Sequence, residues 1–207
     1  MKQKRGRPSL KTIKAGYNAR DAIISAASKL FYSQGYNSVG VDDIARAAQV
    51  AKMTFFKHFK NKNELIEETL KYRNDLFSNW FKDCFENQTD LKKRYVERAV
   101  QVIEIWFSQK NFKGCFFLKA KSEIGPQSLK NQVLCNDHIN NLLKFIEKMA
   151  KLDGFQEPKL LANQLLTVIH GANARAQFDS AKMALQVLKS TSSPLIQLHL
   201  SKRNTIE

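Results

Sequence analysis

Apolar residues along the chain recur at helical spacing, with no convincing two-residue alternation and no internal repeat. Ile23, Ala27, Leu30 and Phe31 fall at i, i+4, i+7 and i+8, the register of one helix face. Gly35 comes next as a left-handed stop, and Tyr36 is placed to fold back over the last turn. Val41, Ile44, Ala45 and Ala48 predict a second helix of two turns, with Asp42 and Asp43 complementing the dipole of its first turn. After a short break at Gln49 and Val50, Lys52 to Phe59 predicts a third, with Phe55 and Phe59 turned inward at i and i+4. Three short helices with tight connections thus occupy about 45 residues.

Longer helices come after them. Lys62 to Phe85 carries a stripe of Leu65, Ile66, Leu70, Phe77, Trp80, Phe81 and Cys84. Further helices are expected over Leu91 to Ser108, over 115–124 after Gly114, and over 128–152 after Gly125-Pro126. Lys159 to Phe178 is apolar on more than one face, so it must be covered from two directions. A last helix is expected over 180–190, with weak signal in the Ser-rich stretch containing Pro194. The fold class is all-α. The expected organisation is an arm over 1–17, a small three-helix unit over 18–62, and a larger helical domain over 63–207.

Charge changes the picture more than composition does. The 207 residues carry 34 Lys and Arg against 19 acids, a net of +15. Residues 1–62 hold +10 of that excess, which points to one end that meets a polyanion. Three widely spaced cysteines, Cys84, Cys115 and Cys135, fit neither a disulfide framework nor a paired metal motif and suggest a reduced cytoplasm. Met1-Lys2-Gln3-Lys4-Arg5 imitates the start of a signal peptide, but Lys11 and Lys14 break up the stretch where an apolar core would stand. No segment has the uncharged length of a membrane span. No metalloprotease, nucleophile-elbow, P-loop or dinucleotide pattern is present, and His58, His138, His170 and His199 have no metal-ligand spacing, so neither an enzyme nor a cofactor is expected.

Short helix, tight turn and short helix, all basic, describe a helix-turn-helix whose second helix enters the major groove of double-stranded DNA. The outward side of residues 51–59 presents Lys52, Thr54, Lys57 and His58 for bases or phosphates. Arg46, Lys60 and Lys62 flank it as phosphate contacts, near the N-terminus of the long helix. A three-helix bundle with a solvated basic face is the plainer alternative. In the arm, Arg5-Gly6-Arg7-Pro8 resembles an AT-hook core, which would seat Arg5 and Arg7 in a narrow minor groove; nonspecific phosphate attraction is the alternative.

Ala22 to Leu65 resembles the DNA-binding domain of TetR/AcrR-type transcriptional regulators, through AAxxLFxxxGY (26–36), VDDIAxxAxV (41–50) and KMTFFKHFKNKNEL (52–65). A looser likeness continues in Gly114-Cys115-Phe116-Phe117 with Glu123, a segment found in one branch, and in His170-Gly171-Ala172. The resemblance implies a homodimer that binds a palindromic operator, usually as a repressor. It implies pairing through the last two helices and release when a small-molecule inducer in the C-terminal domain moves the long connecting helix. Four positions depart from the family pattern. Gln49 stands for the usual turn glycine and Met53 for a small residue. Phe56 stands for a tyrosine whose hydroxyl meets phosphate, leaving it only packing against the DNA backbone. Val39-Gly40 replaces a Ser or Thr cap, leaving Gly40 a backbone N–H contact.

Aromatics of the larger domain fill its core and, under the family mechanism, line an apolar cavity. The candidate ligand residues are Trp106, Cys115, Phe116, Phe117, His138, His170, Asn173 and Gln177. Asn163, Thr167, His170, Asn173 and Gln177 form a polar stripe that either orients a ligand or faces solvent or a second subunit. Beside Lys113, Cys115 is either a redox- or electrophile-sensing thiol or a small buried apolar residue. Two other classes compete with a specific regulator: an architectural protein that coats DNA through charge alone, and an amphipathic membrane-surface protein, the latter lacking a suitable helix.

Overall fold

The computed structural model describes residues 18–125 and 128–201. The described residues form nine helices and no strand. They are α1 (Ala19–Gln34), α2 (Val41–Ala47), α3 (Lys52–His58), α4 (Lys62–Glu86), α5 (Tyr95–Phe107), α6 (Phe116–Ile124), α7 (Leu129–Leu152), α8 (Pro158–Phe178) and α9 (Ala181–Ser201). The residues 1–17 assigned to a basic arm, with Arg5 and Arg7, lie outside the described residues.

Local chemistry sets the starts. Asn18 caps α1 by accepting from the Arg20 amide at 3.0 Å. Asn61 caps α4 by accepting from the Glu64 amide at 3.0 Å, and the Glu64 carboxylate returns to the Lys60 amide at 2.7 Å. The first amides of α5 meet a carboxylate from far along the chain: Asp153 accepts from Tyr95 at 2.9 Å and from Val96 at 2.8 Å. That distant cap helps α5 begin at Tyr95, four residues after the start expected at Leu91.

Two apolar clusters hold the helices. The first joins Ile23, Ala27, Phe31, Ile44, Phe55, Phe59, Leu65 and Leu70 of α1–α4 with Phe116, Phe117 and Ala120 of α6. The second joins α5, α7, α8 and α9 with Phe81 of α4. Trp106 is half-buried and packs against both. With 25 residues, α4 spans about 37 Å and contributes to both clusters.

The last helix corrects the expectation from sequence. It runs to Ser201 with Pro194 inside it, although the pattern predicts a stop near 190. Proline in a helix interior costs about 3 kcal/mol. Pro194 is exposed, and Ala184, Leu188, Ser192, Ile196 and His199 bury one continuous face against α5 and α8. Burial of that face outweighs the proline. Gly35 departs too. Its φ of 93° and ψ of 163° lie in a glycine-only region away from the left-handed helix. The chain thereby leaves α1 extended, and Tyr36 stacks on Phe31 with ring centroids 4.8 Å apart.

Candidate nucleic-acid interface and inner cavity

The α2–α3 unit is locked from within. Phe55 is fully buried, Phe59 is nearly so, and their rings lie 5.8 Å apart. Between the helices the Val50 amide donates to Ala45 and the Gln49 amide to Arg46. Gln49 takes φ 57°, the only positive φ outside glycine among the described residues. This is the position where the family pattern has glycine.

The packing decides what α3 offers outward. Met53 is 79% exposed and Phe56 46%, with Lys52 and Lys57 exposed beside them. Thr54 and His58 are half-buried, so they sit at the edge of the exposed face. The sequence marks Met53 only as a departure from the family pattern. It is the most exposed large apolar side chain on α3, chemistry suited to a thymine methyl or a sugar. Lys57 forms no ion pair with the described residues, whereas Lys52 reaches Asp42 at 2.9 Å and Arg46 reaches Asp43 at 3.3 Å.

Three of the expected phosphate contacts are already engaged within the protein: Arg46 through its pair with Asp43, Gly40 and Lys62. The Gly40 amide donates to Asp43 Oδ2 at 3.1 Å, so a phosphate would have to displace a carboxylate there. Lys62 is half-buried, with Nζ 6.0 Å from the Phe31 ring centroid, and burial lowers its pKa against the opposing pull of Glu123. Its ammonium belongs to the α1–α4 seam.

Behind this face, α6 is strapped to the end of α1. Glu123 Oε2 accepts from the Tyr36 amide at 2.6 Å and the Asn37 amide at 3.3 Å, while Asn37 Nδ2 donates to the Glu123 carbonyl at 3.1 Å. Tyr32 continues the strap. Its hydroxyl donates to the Gly114 carbonyl at 3.1 Å and accepts from the Lys113 amide at 2.7 Å. Arg73 of α4 lies 5.0 Å from the rings of both Tyr32 and Phe116. In sequence Glu123 is only part of a motif; its partners are 86 or 87 residues away, and no local pattern reveals them.

Deeper in, five of the eight candidate ligand residues converge. Trp106, Cys115, His138, His170 and Asn173 line one small space of about 10 Å³, together with Phe77, Ile139, Leu142 and Ile169. A groove of about 280 Å³ between α4 and α7 adjoins it, lined by Asn74, Phe77, Ser78, Phe81, Lys82, His138, Asn141, Leu142 and Phe145. Phe77, His138 and Leu142 belong to both walls. Burial lowers the His138 pKa to about 4, so the ring is neutral. Its Nδ1 lies 2.9 Å from Asn74 Oδ1, and Phe117 stacks on it at 3.7 Å.

The other three candidates lie elsewhere. Phe116 turns toward Tyr36, at 5.4 Å, in the N-terminal cluster. Phe117 backs the His138 ring instead of lining the space. Gln177 is exposed near Gly114. The polar stripe of α8 likewise divides: Asn163 and Thr167 are exposed and bond back to their own helix, while Asn173 is buried. Cys115 is buried, and desolvation raises its thiol pKa, the opposite of what a sensing thiolate requires. Among the described residues no group of histidine, cysteine and carboxylate side chains could hold a metal ion, and no helix is long and apolar enough to cross a membrane.

Residues 23–69 match the family model for bacterial regulatory proteins of the tetR family. The biofilm operon icaADBC HTH-type negative transcriptional regulator IcaR of Staphylococcus aureus is 31% identical over 98 residues, which cover 40% of this chain and 53% of that protein. The HTH-type transcriptional activator FasR of Mycolicibacterium smegmatis is 32% identical over 75 residues, covering 36% and 34%. The chain spans about half the length, or less, of these curated relatives. The fold likeness is broader. A TetR-family transcriptional regulator from Streptomyces coelicolor superposes with a TM-score of 0.78 at 21% identity, covering 86% of this chain and 94% of that one. A TetR-type regulator from Streptomyces avermitilis superposes with a TM-score of 0.73 at 26% identity, covering 88% and 98%. The helix-turn-helix is thus matched in sequence by the tetR family model over residues 23–69, and the helical body is matched in fold by TetR-family transcriptional regulators.

Proposed function

We propose that the protein is a dimeric repressor that binds a palindromic DNA operator through α3 and is released by a small molecule in the helical domain. The observation that carries this reading is α3 itself: its inner face is locked by Phe55 and Phe59, and its outer face shows Met53, Phe56 and Lys57. Lys52, Thr54 and His58 extend the base-reading edge, and Arg46 and Lys60 flank it. IcaR, the relative matched over the longer stretch, is described as a negative regulator, which favours repression. Dimerisation through α8 and α9 is supported by exposed apolar side chains on them: Leu160, Phe178, Met183 and Leu198. A two-fold pair sets two α3 helices about 34–36 Å apart, one turn of DNA. A ligand with higher affinity for a wrongly spaced form would shift the population off the operator.

The deciding experiment mixes purified protein with a randomised duplex library at ~150 mM salt and sequences the bound DNA. A palindromic consensus is expected. An unstructured pool whose affinity collapses as salt rises would reduce the basic end to a charge-driven clamp.

A further inference from the structure

Asn173 on α8 is 1% exposed and lines the inner space. Its Nδ2 donates to the Ile169 carbonyl at 3.0 Å, but its Oδ1 has no partner. A buried amide oxygen left without a donor costs about 1–3 kcal/mol, so such atoms mark strain or a missing ligand. A donor from outside the protein would remove that cost.

The surroundings restrict that ligand further. No residue lining the inner space carries a full charge near neutral pH: burial shifts both His138 and His170 below the ordinary histidine range, and since Asn74 Oδ1 accepts from His138 Nδ1, His138 Nε2 remains an acceptor. Two acceptors among aromatic and aliphatic walls disfavour a carboxylate or phosphate. A cation finds no carboxylate on either wall, and it meets Lys82, the one charged side chain of the outer groove. The inner space admits about one water molecule, whereas the outer groove has room for a ring. The two are separated by side chains of Phe77, His138 and Leu142, whose rotation would join them.

We propose that the effector is a neutral, mostly apolar molecule with a terminal hydroxyl or N–H group, its ring between α4 and α7 and its donor on Asn173 Oδ1. This rests on the reading that the helical domain takes a small molecule. Entry of the donor past His138 would press on Phe117, which is stacked on that ring and neighbours Phe116 at the base of the α6 strap.

The test is calorimetric titration of the full chain at pH 7.5 with 4-ethylphenol, with 4-ethylanisole, which keeps the ring and caps the donor, and with 4-ethylbenzylamine as a cation. The phenol is expected to bind about tenfold more tightly than the anisole, the weight of one hydrogen bond to an unmet buried acceptor. In Asn173→Leu, checked for folding by its thermal melt, that ratio is expected to fall within about twofold through loss of phenol affinity. Equal binding of phenol and anisole to the wild type overturns the donor assignment, and this comparison needs no variant. An undiminished ratio in Asn173→Leu overturns the role of Asn173. Tighter binding of the amine overturns the neutral class. If none of the three binds below ~1 mM, the small-molecule reading of this cavity falls together with the inference.

Discussion

Removing the Glu123 side chain should loosen the connection between the helical body and the reading head, and the structure fixes the size of the effect. The carboxylate accepts from the Tyr36 and Asn37 amides at 2.6 and 3.3 Å. Hydrogen bonds to charged groups contribute about 1.5–3 kcal/mol each, but Asn37 is exposed and water replaces part of its bond. Glu123→Ala should therefore cost about 2 kcal/mol, a fall of about 4–8 °C in Tm for a chain of this size. Glu123→Gln keeps an acceptor oxygen and loses the charge, so about half that fall is expected. Gly35 supplies an internal check. A Cβ there would lie 2.8 Å from Glu123 Oε2, on a backbone at φ 93° that side chains rarely adopt. Gly35→Ala thus has a conformational cost and a steric cost, and only the steric one vanishes beside Glu123→Ala. Melts of the two single variants and the double variant form a cycle. A Glu123→Ala melt within about 1 °C of wild type, or strictly additive losses, would refute the strap.

Other sites carry four further expected outcomes. Gln49→Gly should raise stability by about 0.5–1 kcal/mol in urea denaturation, because release from the left-handed conformation exceeds the added freedom of the unfolded glycine. His138 binds its proton less readily folded than unfolded, so the unfolded state gains protons first as pH falls. Stability should therefore drop between about pH 6.5 and 4, by up to about 3 kcal/mol, and His138→Phe should flatten that slope, with half-buried His170 shifted in the same direction. Iodoacetamide followed by peptide mass spectrometry should label half-buried Cys84 before Cys115 and Cys135, whose thiols are buried and shifted upward, Cys135 to about 12. On the selected operator, Lys57→Ala should lose about 1–3 kcal/mol of binding and Met53→Ala a smaller amount confined to particular bases, measured against random duplex at matched salt.

What the sequence makes legible divides by the range of the interactions involved. The helix-turn-helix is built from i, i+4 pairs, such as Phe55 with Phe59, and from caps a few residues away, so spacing alone locates it. The run of α9 through Pro194 depends on a face buried against α5 and α8, which no local window contains. The same holds for function. Lys57 is legible because an exposed cation on a short amphipathic helix needs no partner to be recognised. Lys62 has the same charge five residues later, but it lies over Phe31 because α4 packs on α1, a fact about tertiary contact alone. The inner space is intermediate. Trp106, His138 and Asn173 stand out as polar or aromatic residues on apolar helices, and they do converge. Gln177 lies four residues after Asn173 on the same stripe, yet it is exposed near Gly114 where Asn173 is buried. Helical periodicity places two residues on one side of a helix, but the neighbouring helices decide where along that side the cavity begins. Asn173 is therefore distinguished less by its position in the stripe than by its unmatched oxygen, which only the packed structure exposes.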